Sequence, residues 1–347
     1  MSTLDGNNHQ AILDASAWRG DILREQPASW VYKLSATERG ELLNALAAVK
    51  RTGLAITEVE ESNFVLPRLG AIFARLQEEI ESGRGFVLLK SLPIEGLDIA
   101  DASLLYWGVM RHFGTPITQN TKGEYIGHVR NLGLRWGEIR DGERVRGYLT
   151  SELLHFHSDN TDLVGLLCMH PARIGGLSSI VSAVTLYNEI LREHREHREH
   201  LDQLMEGFHY SLRGEQAPGA LPYTEHRVPV FSLCEGKLSC GYVRKGIEQG
   251  AEDRGIPLSE RERAALVVIE MLAKRDDLRL DMTLEIGDLQ LLNNYTNFHS
   301  RSEFIDFDEP EKRRHLLRMW LQSKVRRPLS WALANRYGTA APYRRLQ

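Results

Sequence analysis

The sequence predicts an α+β chain with a mainly β core: a jelly roll wrapped by flanking helices. Short apolar or alternating runs recur from about residue 85 to 322, each bounded by polar or glycine turns. Helical patterns are interspersed among them without the regular strand–helix alternation of a doubly wound sheet. At 347 residues and 42% hydrophobic content, with no long Pro/Gly/Ser linker, the chain can bury one large core. The expected organisation is therefore a single structural unit, with residues 1–60 as a helical extension packed on a core domain of 61–347.

The elements follow in order. Residues 35–53 carry a Ser/Thr start, a Leu/Ala stripe at helical spacing and a glycine stop, and read as a helix. Residues 62–85 repeat that pattern, and GFVLLKSLPI (85–94) then switches to a short apolar run typical of a buried strand. A helix is expected over 101–114 and a strand over 123–133. The centre reads as strand to about 158, strand 163–170, a PxRxGG turn at 171–176, strand 178–183 and helix 184–206. A hairpin over 228–244 turns at Glu235 and Gly236, a helix follows at 259–275, and Gly287 and Asp288 supply the turn between two further strands. The last strand, RRHLLRMWLQ, puts Arg314, Leu316, Arg318 and Trp320 on one face.

The chemistry concentrates in HFHSDNTD (155–162), answered by NNYTNFHSR (293–301). His157 and Asp159 are two apart, so on a strand both leave the same face and can grip one cation. HxD alone is a weak pattern among 13 histidines, and its bland reading is a satisfied polar pair at a strand end. His200 and Asp202 have the same spacing, but LREHREHREHLDQLMEG reads as a helix, where residues two apart diverge; that pair is a solvated charged face. His299, arriving from a distant strand, completes two imidazoles and one carboxylate. Such a set leaves open positions suited to Fe(II), a bidentate keto acid and dioxygen.

At these residues the chain resembles the taurine dioxygenase and clavaminate synthase superfamily of Fe(II)- and 2-oxoglutarate-dependent oxygenases, across motifs spread over about 85–322. The resemblance implies a double-stranded β-helix, with His157, Asp159 and His299 as iron ligands and 2-oxoglutarate and O2 as cosubstrates. It also implies that Arg314, fifteen positions after His299, binds the remote carboxylate of 2-oxoglutarate. A serine after the GG turn would help, Ser178 first and Ser179 as the fallback. Physically, a planar guanidinium fork and a hydroxyl satisfy a carboxylate that is costly to bury alone. A second arginine used towards substrate falls on Arg318, whose bland reading is a salt bridge to a nearby acid. Relatives place a loop and strand at the cavity mouth where 115–131 lies, which makes Gln119, Asn120 and Tyr125 substrate-contact candidates. Asn294 and Asn297 are expected to orient groups around His299, and His155 to support the ligands from behind or line the pocket wall. Trp107, Trp136 and Trp320 read as core or lid aromatics. The acidic stretch between His299 and Arg313 departs from the pattern and is expected to form a loop near the site.

The activity so implied is oxidation, foremost hydroxylation, of an unactivated C–H of a small, anionic or amino-acid-derived metabolite, with release of succinate and CO2. Asp159 argues against halogenation, which uses a site without the carboxylate. A non-catalytic jelly-roll binding protein is the alternative, favoured only if a ligand or Arg314 were missing. A zinc hydrolase would leave Arg314 unexplained and lacks an HExxH helix. The net charge of −4, with both signs interspersed, is no nucleic-acid footprint. Three cysteines, Cys168, Cys234 and Cys240, make no framework and suit a reduced, cytoplasmic setting. No apolar stretch or basic leader suggests membrane spanning or secretion. The partner expected is a small molecule, and a homo-oligomer is compatible with the chain.

Overall fold

The computed structural model describes residues 9–120, 122–140, 143–192, 198–212 and 219–336. Eleven strands position the site: β1 (Val31–Lys33), β2 (Phe86–Lys90), β3 (Gly114–Ile117), β4 (Ile126–Val129), β5 (Leu154–His157), β6 (Leu163–His170), β7 (Ser178–Ser182), β8 (Arg279–Met282), β9 (Leu289–Asn293), β10 (Asn297–Arg301) and β11 (His315–Ser323). The seven-stranded sheet runs β1-β2-β9-β6-β11-β3, with β4 also pairing β11. The four-stranded sheet runs β8-β7-β10-β5. Apart from the parallel β1–β2 pair, these ladders are antiparallel. Phe86, Leu88, Val164, Cys168, Ile180, Leu280, Leu292, Leu316 and Trp320 fill the space between the sheets. The expected jelly roll is the observed fold.

Alternate residues of the same strands face outward, as a period of two requires. On the large sheet Val87, Leu89, Leu291, Leu317 and Leu321 meet Leu42, Leu46, Phe73 and Trp107 from helices α1 (Ala36–Thr52), α2 (Leu69–Glu81) and α3 (Ile99–Arg111). Ser35 and Glu38 form a capping box at the start of α1, and Gly53 ends it in the left-handed conformation, φ 72°. On the small sheet Val181 and Phe298 meet Leu186, Leu201, Ile247 and Ile269 from α4 (Ala183–Arg192), α5 (Arg198–Glu206), α6 (Arg244–Arg254) and α7 (Glu260–Ala273). Residues 9–60 join this body directly. β1 lengthens the large sheet, and the Trp18 indole donates to the Arg84 carbonyl and to Asn297 Oδ1.

Several elements differ from expectation for local reasons. The helix expected over 62–85 begins only at Leu69, because Pro67 lacks an N–H and biases Leu66 towards extended backbone. The helix expected over 184–206 is two helices; residues 193–197 between them, with part of the REH repeat, lie outside the described residues. Helix α6 was not anticipated, since RKGIEQGAEDR offers only Ile247 and Ala251 as an apolar stripe. Gly250 lets it approach closely: a Cβ there would lie 2.5 Å from the His209 carbonyl oxygen. The strands expected over 123–133 and up to 158 contract to β4 and β5, the latter preceded by a 3-10 turn at Gly147–Leu149. The turn at Gly287, φ 81°, carries the chain from the small sheet to the large one.

One pair of titratable groups is packed between strands away from the metal ligands. His128 Nδ1 on β4 lies 2.8 Å from His315 Nε2 on β11, and the rings stack. Burial, then His128, Arg130 and His170, push the His315 pKa down to about 4. The unfolded chain therefore takes up a proton near pH 6.5 that the folded chain refuses until about 4. Stability from this group is complete above the unfolded pKa and is lost as the pH falls from 6.5 towards 4. In His315→Asn the urea midpoint should fall less between pH 7 and pH 5 than in the native chain; an equal fall in both would sink the assignment.

Candidate metal centre and its flanking arginines

Strand register brings the two histidines together. His299 on β10 pairs directly with His157 on β5, and the ring centroids are 4.3 Å apart. Asp159, just past the end of β5, turns its carboxylate towards both: Oδ1 is 4.0 Å from His157 Nε2, and Oδ2 is 4.0 Å from His299 Nε2. One donor atom from each of the three residues lies within 4.8 Å of the others, the only such group of three His, Cys, Asp or Glu among the described residues. His157 Nδ1 sits 2.8 Å from the His155 carbonyl, a contact that leaves Nε2 to act as a ligand. Burial, then the neighbouring His157, drives the His299 pKa down to about 3, so its imidazole is neutral at ordinary pH. Burial raises the Asp159 pKa, but Arg318, His299, His157 and the Trp320 hydrogen bond outweigh it and hold the carboxyl below its ordinary value. Two imidazoles and an ionised carboxylate are the donor set that Fe(II) requires, and the residues present fit that ion.

Asp159 is fixed from two further sides, at its carboxylate and at its backbone. Trp320 Nε1 donates to Asp159 Oδ2 at 2.9 Å, and the Asp159 backbone N–H donates to Asn294 Oδ1 at 2.9 Å. Asn294 thus supports the site through Asp159 and not, as expected, around His299. Asn297 is a correction. Its amide donates to the Gly85 and Asn293 carbonyls and its oxygen accepts from Trp18, so it braces the amino-terminal segment. His155 is corrected in part: its imidazole is exposed, and only its carbonyl touches His157.

Arg318 stands over the metal ligands, with Nη1 3.6 Å from Asp159 Oδ1. Its guanidinium lies over two aromatic rings, 4.7 Å from the Tyr148 centroid and 5.0 Å from that of Trp320. Nε donates to Gln119 Oε1 at 2.7 Å, while Gln119 Nε2 donates to the carbonyls of Arg318 and Tyr125. Gln119 is therefore a buttress for the arginine. Asn120 and Tyr125 turn elsewhere: the Asn120 side chain closes its own loop through Glu124 and Lys122, and the Tyr125 ring packs edge-on against Trp107 at 5.7 Å. Their expected place at substrate is not where their side chains point.

Arg314 lies further along the same inward face and is 4% exposed. Its guanidinium sits 5.1 Å from the Phe304 ring centroid, and its backbone N–H donates to Asp306 Oδ1 at 2.8 Å. Phe304 and Asp306 belong to the acidic stretch after His299, which does lie beside the site. Gly176, φ 69°, makes room: a Cβ there would be 2.9 Å from Arg314 Nε. Ser178 Oγ donates inward to Gln290 Oε1 at 3.0 Å, whereas Ser179 Oγ bonds Asp281 at 2.5 Å. Ser178, not the fallback, shares the inner face. Sequence reasoning missed Gln290, hidden in the apolar run of β9, and Tyr148, on a turn without periodicity. It also missed Arg301, although two positions past His299 on a strand is the spacing that reveals a shared face.

Comparison with known proteins bears on this site. The model of the family described as "Taurine catabolism dioxygenase TauD, TfdA family" matches residues 50–320. The chain is 32% identical over 321 residues to FR-33289 synthase of Streptomyces rubellomurinus (strain ATCC 31215), covering 91% of this chain and 92% of that protein. Among solved structures, asparagine oxygenase in complex with Fe(II), 2S,3S-3-hydroxyasparagine and succinate superposes with a TM-score of 0.65 at 17% identity, over 84% of this chain and 93% of the other. The non-heme iron oxygenase OrfP in complex with Fe and alpha-ketoglutaric acid gives 0.60 at 15% identity, over 85% and 94%.

Because Trp320 fixes the ligand carboxylate from behind, Trp320→Phe should weaken Fe(II) affinity by roughly 10–100-fold while keeping the ring's packing. Anaerobic Fe(II) titration of the folded variant checks this. Unchanged affinity would mean that the hydrogen bond does not orient Asp159.

Proposed function

Since the chain belongs to the TauD/TfdA family and is an Fe(II)- and 2-oxoglutarate-dependent oxygenase, we propose that it hydroxylates an unactivated C–H of a small anionic metabolite gripped by Arg318. The observation that carries the reading is the position of that guanidinium. It is packed over the rings of Tyr148 and Trp320, held at Nε by Gln119, and set 3.6 Å from the metal-binding carboxylate. A cation packed over rings offers its edge to an incoming anion, and a fork held in place loses little freedom on binding. An anion there would lie beside the iron, where C–H cleavage must occur. The fold neighbours crystallised with hydroxyasparagine and (3S)-hydroxy-L-Arg make an amino-acid carboxylate the first class to test.

Bound iron with 2-oxoglutarate and O2 supplies the oxidising chemistry, with succinate and CO2 released. The chain's own residues hold and shape. His157, Asp159 and His299 would hold the ion. Arg314, with Ser178 beside it, would receive the remote carboxylate of 2-oxoglutarate in a buried pocket, where a lone carboxylate would be costly. The apolar wall of Leu316, Val164 and Ile180 keeps water from the reacting groups.

The test is anaerobic formation of the coloured iron–keto-acid complex, then a screen of amino acids, carboxylic acids and sulfonates for stimulated succinate release. No stimulation by any anion, with stimulation by neutral molecules, would overturn the substrate class. Arg314→Ala should raise the 2-oxoglutarate requirement sharply, by about 2–5 kcal/mol of lost binding, while iron still binds. An unchanged requirement would move the carboxylate partner to another residue. Arg318→Leu should weaken productive substrate binding and leave uncoupled 2-oxoglutarate turnover largely intact. Arg318→Lys should recover only part of the loss, because a point charge cannot reproduce a planar fork. Full recovery by lysine would argue for a charge effect on Asp159 alone.

A further inference from the structure

We infer that Arg301 is a second arginine for the remote carboxylate of 2-oxoglutarate, so that the far end of the cosubstrate slot is a two-guanidinium clamp built by Arg301 and Arg314, both packed against the same phenylalanine. This rests on the assignment of Arg314 to that carboxylate.

Arg301 is 5% exposed and Arg314 4%. Both guanidinium groups lie against Phe304, at 4.7 Å and 5.1 Å from its centroid. On β10 Arg301 follows His299 by two, and across the ladder it pairs with Ser178, whose hydroxyl faces inward to Gln290. One strand register thus brings Arg301 to the end of the slot that Ser178 and Arg314 mark.

The donors are not used up there. Arg301 Nη2 donates to the Glu152 carbonyl, but its Nε and Nη1, and Nη1 of Arg314, are buried without a hydrogen-bond partner. Among the described residues neither arginine makes an ion pair within 4.0 Å. A buried arginine with a purely structural duty satisfies its donors with carbonyls or acids, because each orphan N–H is costly. Three orphan nitrogens on two buried arginines packed against one ring call for an acceptor from outside. A carboxylate, with two oxygens and about four lone-pair sites, can take both forks, one from each side. The five-carbon dicarboxylate already required by the reaction carries such a group at the end remote from the metal.

The direct test is binding of glutarate to the metal-free full-length protein, measured by calorimetry on samples shown to be folded by circular dichroism. Glutarate has the remote carboxylate but no keto acid to chelate a metal. Arg301→Gln should raise its Kd by about 10- to 100-fold, the factor expected for one lost hydrogen bond to a charged group. Arg301→Lys should recover part of that. Arg314→Ala is the companion measurement. If it weakens glutarate and both Arg301 variants leave the Kd within twofold of native, Arg301 is structural and the clamp is refuted while the Arg314 assignment stands. If neither arginine matters, the Arg314 assignment falls, and the clamp with it. Should the Arg301 variants fail to fold, a crystal structure of the native protein with glutarate decides. A carboxylate oxygen within hydrogen-bond distance of Arg301 Nε or Nη1 supports the clamp, and a bound glutarate touching only Arg314 refutes it.

Discussion

The carboxylate of Asp159 is the interaction on which the arrangement of this centre depends. It sits just beyond β5, and groups from two other strands converge on it, His299 from β10 and Trp320 and Arg318 from β11, while Asn294 in the turn before β10 accepts from the Asp159 backbone N–H. An ionised carboxylate in a sandwich of leucines, valines and aromatic rings is unstable unless donors surround it. Here two oxygens are shared among an indole N–H, a guanidinium and two imidazoles, which leaves room for a cation to replace part of that solvation. The apolar packing between the sheets gives the carboxylate few alternative positions, since the surrounding side chains interlock at the density of a solid.

The electrostatics of the interior follow from the same crowding. Arg301, Arg314 and Arg318 each feel an acid: Asp159 lies beside Arg318, Asp306 acts on both Arg301 and Arg314, and Glu152 acts on Arg301. Burial pushes the Arg301 pKa down to about 9, with Arg314 adding to the effect, and burial pushes Arg314 down to about 10. Both remain charged at neutral pH. A bound divalent cation would add positive charge to this interior, and an entering keto diacid would offset it, so that attraction and orientation of the cosubstrate have the same origin.

Much of this was legible because strands report their faces. The alternation Arg314, Leu316, Arg318, Trp320 in one run, and His157 with Asp159 in another, needed only a period of two. The ligand triad and the jelly roll could be read that way. What could not be read was which partner each polar group would find. Asn297 lies two residues from a ligand, yet Trp18 and Gly85 claim its amide from segments more than 200 residues away. Tyr125 faces Trp107 because the outer core offered a larger apolar contact than the cavity mouth. Gln290 was hidden because its neighbours Leu289, Leu291 and Leu292 give the run an apolar character. Local pattern fixes orientation to within a face, and distant chain decides the rest.

The order of the strands in space has a consequence for how such a chain is made. β9 lies between β2 and β6, and β11 lies between β6 and β3, so two interior positions of the large sheet are filled by segments synthesised well after their neighbours β2, β3 and β6. During translation β2 and β6 would wait with unpaired edges and exposed leucines for more than a hundred residues, a situation that slows folding and invites misassociation. Iron ligands are divided in the same way, with two near residue 158 and one at 299. A nascent chain can thus offer the metal only an incomplete grip, and loading must await release of the carboxy-terminal strands from the ribosome.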